Sequence, residues 1–315
     1  MSAITKSPFG EIAVIADARA GGGRVANRLS DVERAITVRG LSYRMRVARS
    51  PEEASTLTAA ALDEGFRYLA AVGDDLTVHD VVNGMFRDGR PIVDDPILAV
   101  LAAESGCDLV RSFGLPGDVD GAAAHLLGEA IYPFDVMKIA SSDDTTRRRV
   151  LCYAHNVAEL GFHAAAALSP ERAFARLGPA RRFARFWTAY LRSGVRDLRI
   201  GVDAREELAL RGWSVVVGNG QFADGGMRLS PRSFPGDGVI DGLIFTGPKS
   251  DAYRLLPRMF RHGDHLPDPN IQELRAKISL RVDSDRPMPV VADGRLLGST
   301  PVSFQVVPQS ILLKL

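Results

Sequence analysis

Residues 215–247 constrain the fold of this chain more than any other stretch of its sequence. Two mostly apolar runs of strand length, Val215–Val217 and Val239–Phe245, lie on either side of a glycine-rich loop that also contains proline. Glycine accepts left-handed backbone conformations and proline ends regular elements, so we expect this loop to turn the chain back on itself. The stretch is therefore typical of antiparallel strands joined by turns.

The pattern of the chain changes near residue 133. Before that point, apolar strand segments such as 11–17 and 66–73 alternate with helical segments, which predicts right-handed crossovers and a parallel sheet. After it, short strands follow one another at uneven spacing between Gly, Pro and Asp turns, which predicts an antiparallel sandwich. We therefore expect an α/β chain with one domain in residues 1–132 and a second in residues 133–315.

Composition excludes several classes of partner. Hydrophobic residues make up 46% and charged residues 24% of the 315 positions, and the net charge is +1, so no overall field attracts nucleic acid or an anionic membrane. Cys107 and Cys152 lie far apart without metal-ligand spacing, which favours a reduced, cytoplasmic setting. The apolar run near the N-terminus is too short for a signal peptide, and no stretch is long enough to span a bilayer. Peripheral contact with a membrane stays open.

Five segments, taken in order, resemble the diacylglycerol and sphingosine kinase superfamily, most closely the bacterial lipid kinases of the YegS type. The segments are residues 72–85, 105–118, 156–164, 215–247 and 290–308. In the family they correspond to the GGDGT nucleotide loop, the GTGNDFA loop, the first sandwich strands, the magnesium step and the DGE catalytic turn. The resemblance implies a Rossmann-like nucleotide-binding domain, a β-sandwich domain that binds lipid, and an active site in the cleft between them.

The nucleotide loop is altered in this chain. It consists of Gly73, Asp74, Asp75, Leu76 and Thr77. The resemblance implies that these residues bind ATP, and that Thr77 caps the following helix and offers a hydroxyl to phosphate. Asp74 and Leu76, however, replace two glycines that let phosphate approach the backbone. A carboxylate ~4 Å from a phosphate charge would cost up to ~4 kcal/mol at an effective dielectric constant near 20. A surface loop without phosphate is therefore an equal alternative.

The second loop carries a further acidic change. It reads Glu104-Ser105-Gly106-Cys107-Asp108 where the family has Gly-Thr-Gly-Asn-Asp. Ser105 keeps the hydroxyl, so the resemblance implies that it binds the nucleotide. We expect Asp108 to cap the next helix, whereas Glu104 adds negative charge beside the same nucleotide.

The magnesium step is better preserved. By resemblance, the carboxylate of Asp237 and the backbone carbonyls of Phe234 and Val239 bind Mg²⁺. Hard oxygen ligands with one carboxylate suit this ion, which keeps several waters. The alternative is that Asp237 and Gly238 only form a turn between two strands.

The catalytic turn departs most from the family. It reads Asp293-Gly294-Arg295, with arginine in the position of the glutamate base. Arginine stays protonated near neutral pH and cannot accept the proton of a lipid hydroxyl. Asp293 and Asp75 are therefore the candidate catalytic residues. A positioned base contributes about 10²–10⁴ in rate, but phosphoryl transfer depends more on positioning and charge neutralisation.

These residues favour an enzyme, an ATP- and Mg²⁺-dependent lipid kinase that phosphorylates a hydroxyl of a diacylglycerol-like lipid. The alternative is a catalytically inactive relative that binds lipid or nucleotide. A dinucleotide oxidoreductase is disfavoured, because no G-x-G-x-x-G follows the first strand. We expect a lipid substrate and no nucleic acid, and a homodimer stays open. The Arg-rich, aromatic stretch 170–198 is interpreted either as a membrane-facing helix or as a helix that covers the sandwich.

Overall fold

The computed structural model describes residues 7–102, 107–142, 149–168 and 181–315. The chain forms two compact units, one of Met1–Val136 with Val307–Leu315 and one of Met137–Val306. The domain boundary predicted at residues 132/133 stays a prediction, and each unit is described by itself.

The first unit is built from strands that alternate with helices. Its strands are β1 (Ile12–Asp17), β2 (Tyr43–Ala48), β3 (Tyr68–Gly73), β4 (Phe86–Arg87), β5 (Arg90–Pro91), β6 (Ile97–Ala102) and the start of β7 (Ile131–Ser142). Its helices are α1 (Leu29–Val38), α2 (Glu53–Asp63), α3 (Asp75–Gly84), α4 (Asp108–Phe113) and α5 (Val119–His125). Short 3₁₀ turns occupy Ala20–Gly22 and Val25–Arg28.

The four long strands that lie wholly in this unit form a parallel sheet in the order β6-β3-β1-β2. Leu312 and Leu313, near the end of the chain, add a further parallel pairing beside β6. Every residue of β1, β3 and β6 is buried. Helices α1 and α5 pack together on the sheet, as do α2 and α3, which explains why these strands are apolar throughout instead of alternating.

The second unit consists mainly of short strands. They are β8 (Arg149–Ala154), β9 (Val157–Gly161), β10 (Arg196–Val202), β11 (Leu208–Gly212), β12 (Ser214–Gly218), β13 (Phe222–Ala223), β14 (Met227–Arg228), β15 (Ile240–Phe245), β16 (Ile271–Ala276), β17 (Ser279–Ser284), β18 (Pro289–Ala292) and β19 (Arg295–Lys314). Its described helices are α6 (Phe162–Ala167), α7 (Arg181–Arg192) and α8 (Asp251–Arg261).

The strands of this unit form two antiparallel layers. One runs in the order β16-β15-β12-β9-β18, and the other contains β11-β10-β17 next to β19. Residues from both layers, such as Leu160, Val215, Ile200 and Phe304, share one apolar core. A second apolar cluster joins β12 and β15 to α6, α7 and α8. The predicted fold class, a parallel α/β unit followed by an antiparallel sandwich, is confirmed. A cleft between the units stays a prediction.

Of the stretch 170–198, residues up to 180 lie outside the described residues, and the remainder forms α7 and the start of β10. The prediction of a helix is wrong for residues 196–198, which belong to β10. No helix in the described parts of the chain is long and apolar enough to cross a membrane.

Candidate functional site

The nucleotide loop connects the end of β3 to the start of α3. Asp74 caps this helix, because its Oδ1 accepts hydrogen bonds from the backbone N–H of Thr77 (3.1 Å) and from the Thr77 hydroxyl (3.2 Å). The prediction that Thr77 itself caps the helix is therefore wrong. Thr77 is buried, and its hydroxyl completes a reciprocal capping pair with Asp74.

The other oxygen of Asp74 contacts a second loop. Its Oδ2 accepts a hydrogen bond from the backbone N–H of Gly21 at 3.3 Å. Gly21, Gly22 and Gly23 all have positive φ angles, which only glycine adopts without strain. A carboxylate thus accepts from N–H groups of a helix N-terminus and a glycine turn, two features that commonly bind phosphate.

The remaining residues of the loop are placed by packing. A Cβ atom on Gly73 would lie 2.1 Å from Thr77 Oγ1, so the position requires glycine while Thr77 is buried. Leu76 lies in the first turn of α3 with 41% of its surface exposed, so it does not contribute to the core. Nucleotide binding by these residues stays a prediction.

Asp75 ties the nucleotide loop to the loop before α4. Its carboxylate accepts from the backbone N–H of Asp108 (2.8 Å to Oδ1, 3.1 Å to Oδ2) and from Cys107 Sγ (3.3 Å). Asp75 therefore supplies the acceptor at the start of α4. Asp108, for which we predicted this role, instead forms an ion pair with Arg111. Burial, together with the charge of Asp75, raises the pKa of the Cys107 thiol. Ser105 lies outside the described residues.

Asp237 lies in the loop between β14 and β15, and its carboxylate is already bound. Oδ2 accepts from Arg275 Nη2 at 2.8 Å, and Oδ1 accepts from the backbone N–H of Val239 at 3.0 Å. The carbonyl of Phe234, a predicted metal ligand, accepts from the backbone N–H of Asp237 at 3.3 Å. As arranged, the predicted ligand set does not fit Mg²⁺, because a cationic side chain already binds its single carboxylate.

The same guanidinium binds a second acid. Arg275 Nε donates to Asp241 Oδ1 at 3.1 Å. Burial raises the pKa of Asp241, and the hydrogen bond from Ser233 and the charge of Arg275 oppose this effect. In the described parts of the chain, no group of three or more His, Cys, Asp or Glu side chains is arranged to bind a metal ion. Sequence reasoning missed Asp241 and Arg275, since no motif relates two positions 34 residues apart.

The catalytic turn connects β18 to β19, and Asp293 lies in it with a positive φ of 47°. Its carboxylate accepts from the backbone N–H groups of His155 (2.9 Å), Asn156 (3.1 Å) and Val157 (3.2 Å). His155 Nδ1 lies 2.9 Å from the same carboxylate, and both side chains are fully buried. Through these hydrogen bonds, Asp293 holds the turn against the segment that connects β8 to β9. Its role as a base stays a prediction.

Arg295 begins β19 and is half-buried. Its charge acts on Cys152: burial and the charge of Asp293 raise the pKa of that thiol, and Arg295 lowers it. The guanidinium thus lies near the Asp293 turn.

Two family models match the chain. Residues 11–139 match the diacylglycerol kinase catalytic domain, and residues 156–314 match the YegS C-terminal NAD kinase beta sandwich-like domain. The chain is 24% identical to a diacylglycerol kinase of Mycobacterium tuberculosis over 314 residues, which are 98% of this chain and 96% of the relative. It is 27% identical to a probable lipid kinase YegS-like protein of Cronobacter sakazakii over 234 residues, or 70% and 69% of the two chains.

A solved structure is similar in fold. A diacylglycerol kinase from Bacillus anthracis superposes with a TM-score of 0.70 at 16% identity, covering 98% of this chain and 97% of that chain. At this identity the likeness shows the fold and nothing finer.

Proposed function

The chain belongs to the diacylglycerol kinase family, and from this premise we propose that it transfers the γ-phosphoryl group of ATP to a hydroxyl group of a diacylglycerol-like lipid. The observation that carries the proposal is the arrangement at the end of β3, where the α3 N-terminus and the turn Gly21–Gly23 hold an anion, the Asp74 carboxylate. Phosphate groups are recognised by the same kinds of backbone donors.

ATP would bind with its phosphates near the first turn of α3 and the glycine turn. Asp74 competes for these donors, so its side chain must rotate away before a phosphate can accept from them. Mg²⁺ is proposed as the counter-ion that accompanies the triphosphate and offsets this acidic surrounding. Asp237 does not fit as a protein ligand of that ion while Arg275 binds its carboxylate.

The transfer itself needs little covalent participation of the protein. An oxygen of the lipid hydroxyl forms a bond to the γ-phosphorus while the bond to the β,γ-bridging oxygen breaks, and ADP leaves. The hydroxyl proton passes to a carboxylate, for which Asp75 and Asp293 are the candidates. Both accept hydrogen bonds from backbone N–H groups, so each also positions a loop.

The lipid chain has a candidate site within the second unit. A cavity of about 70 Å³ lies against α6, α7 and α8, and its lining is mostly apolar. The lining residues are Phe162, His163, Ala166, Phe186, Asp224, Met227, Leu256 and Phe260. We propose that it takes part of an acyl chain, with Asp224 and Phe260 at its exposed side.

His163 gives this cavity one polar wall. The Ser214 hydroxyl lies 2.6 Å from the Leu160 carbonyl and donates to it, so His163 Nδ1, 2.8 Å from the same hydroxyl, must carry a proton. Burial lowers the pKa of His163 to about 3, so the ring is neutral at physiological pH. Its Nε2 is an acceptor without a partner among the described residues, and it suits a ligand that donates a hydrogen bond.

Peripheral membrane contact is proposed for the neighbouring surface. Phe186 and Trp187 on α7 contact Tyr253 on α8 at centroid distances of 4.9 and 5.8 Å. Trp187, Tyr253 and Leu191 are exposed. Aromatic rings on helices that also carry exposed arginines suit an anionic lipid surface.

The inactive relative remains the second candidate function, and one observation favours it: the Asp74 carboxylate already accepts from the backbone donors that we propose for phosphate. The test is phosphoryl transfer from labelled ATP to diacylglycerol in mixed micelles, run beside a thermal-shift titration with MgATP. Formation of labelled lipid by the wild type, and its loss in the Asp75→Asn variant, supports the kinase. A thermal shift without transfer supports the inactive relative. If the protein shows neither transfer nor a thermal shift, the proposal of nucleotide binding is overturned.

A further inference from the structure

The acidic loop of the second unit, from Asp237 to Asp241 at the start of β15, is bound by an arginine from the neighbouring strand β16. Nη2 and Nε of Arg275 donate to Asp237 and Asp241, at 2.8 and 3.1 Å, so one guanidinium bridges two carboxylates. The planar, always charged guanidinium is well suited to bind two acceptors at once. A divalent ion that used the same oxygen of Asp237 would have to displace it.

The register of the sheet holds Arg275 in this place. Asp241 on β15 lies directly opposite Arg275 on β16, and Gly218 on β12 lies opposite Asp241 on its other side. Directly opposed residues of antiparallel strands project to the same face, so the Arg275 side chain rises beside the Asp241 carboxylate. Strand pairing therefore sets the contact between Arg275 and Asp241, whereas Asp237 reaches the same guanidinium from the loop before β15.

Burial makes the inner half of the bridge the stronger anchor. The Asp241 side chain is 9% exposed, whereas that of Asp237 is 31% exposed and that of Arg275 is 62% exposed. A cation stabilises a buried carboxylate, and removing the cation leaves a buried, unpaired charge that destabilises the folded state. The outer half, at Asp237, is more exposed to solvent, so its ion pair with Arg275 is the weaker of the two.

We propose that Arg275 is the resident cation of this loop. Its guanidinium bridges Asp237 and Asp241, replaces a divalent ion at the predicted magnesium step, and closes the loop without metal. Arg275 is thereby the residue that keeps the affinity of this loop for divalent cations low. The proposal concerns the fold of the second unit and does not depend on kinase activity.

The test measures Mn²⁺ binding to the full chain by isothermal titration calorimetry, with no nucleotide or lipid present. We expect the wild type to show no Mn²⁺ binding that Asp237→Asn removes. We expect Arg275→Gln, which releases both carboxylates from the guanidinium, to bind one Mn²⁺ with a dissociation constant at least about tenfold below any value found for the wild type. Adding Asp237→Asn to Arg275→Gln should abolish the gain.

Arg232→Gln is the matched control. Arg232 also forms an ion pair with an acid of β16, at 2.8 and 3.0 Å to the two oxygens of Glu273, but it bridges no second carboxylate among the residues that the structure describes. This variant should gain no Mn²⁺ binding. A gain equal to that of Arg275→Gln would overturn the proposal, since any freed surface acid would then suffice.

Thermal unfolding covers the case in which Arg275→Gln folds poorly. Wild-type protein should unfold at the same temperature in EDTA and in Mg²⁺, whereas Arg275→Lys, which keeps the charge but not the bridging fork, should be stabilised by Mn²⁺. The proposal fails if EDTA destabilises the wild type and Mg²⁺ restores it through Asp237, or if neither arginine variant gains an Mn²⁺ response.

Discussion

The carboxylate of Asp74 accepts a hydrogen bond from the backbone N–H of Gly21, 53 residues earlier in the chain, at 3.3 Å. The same side chain caps α3 through Thr77. One acidic side chain thus satisfies donors at two loops that follow neighbouring parallel strands, β1 and β3. Asp74 is therefore an internal anion at the backbone donors for which we propose phosphate binding.

Asp74→Gly should tighten ATP binding at least about tenfold, because it removes a negative charge beside the phosphate site. Replacing a capping Asp by Gly lowers stability by only a few tenths of a kcal/mol. Isothermal titration with MgATP measures the change. The matched control is Asp118→Gly, which removes the cap of α5, where Asp118 accepts from Gly121 N at 2.8 Å. Equal ATP affinity in wild type and Asp74→Gly would contradict the competition.

Asp293→Ala should lower the free energy of unfolding by about 3 kcal/mol or more, since it leaves three buried backbone N–H groups without an acceptor. Urea denaturation measures the loss. Asp237→Ala, which breaks a partly exposed ion pair, should lose only about 1 kcal/mol or less. If Asp293→Ala lowers the free energy of unfolding as little as Asp237→Ala does, the Asp293 carboxylate does not stabilise the turn.

The second unit should lose stability as the pH falls from about 6.5 toward 4. Burial lowers the pKa of His163 to about 3 and that of His265 to about 4, so the unfolded chain binds protons in this window that the folded chain does not. Each histidine then contributes a slope of about 1.4 kcal/mol per pH unit. His163→Gln should reduce the slope of the unfolding free energy against pH by about 1.4 kcal/mol per pH unit, the contribution of one proton. Equal slopes in wild type and His163→Gln would refute the assignment.

Ala166→Leu should fill part of the cavity beside α6 and weaken lipid use. Displacing about two methylene groups of a bound chain, at about 0.8 kcal/mol each, raises KM for a long-chain substrate about tenfold while kcat changes little. Ala167→Leu is the control, because Ala167 lies next in α6 but does not line the cavity. If both variants raise KM equally, the cavity does not take the chain.

Leu191→Asp should reduce binding to anionic vesicles several-fold, because Leu191 is 78% exposed on α7 near the aromatic cluster. Vesicle co-sedimentation provides the measurement. Val38→Asp is a close match, since Val38 is 75% exposed at the end of α1 in the first unit. A similar reduction for Val38→Asp would indicate a general charge effect and would exclude a specific membrane-facing surface on α7.

The alternation of strands and helices in the first unit, and the turn-rich strands of the second, were predictable from local patterns. Apolar runs such as Ile12–Asp17 and Tyr68–Gly73 are buried on both faces, and burial on both faces is what makes them continuously apolar. The turn-rich stretch around Gly218 and Asp237 joined two antiparallel neighbours, β12 and β15, as its glycines and proline indicated. These properties depend on residues close in sequence.

The chemistry at each predicted site was not predictable in the same way. Asp237 and Asp293 stood out because they match family motifs, yet their partners Arg275 and His155 belong to no motif. A charged side chain finds its partner through strand register and packing, which bring together residues far apart in the chain. The sequence by itself therefore determined the fold class and the family. Only the tertiary structure decided which groups those carboxylates bind, because electrostatic contacts depend on distance in space and not along the chain.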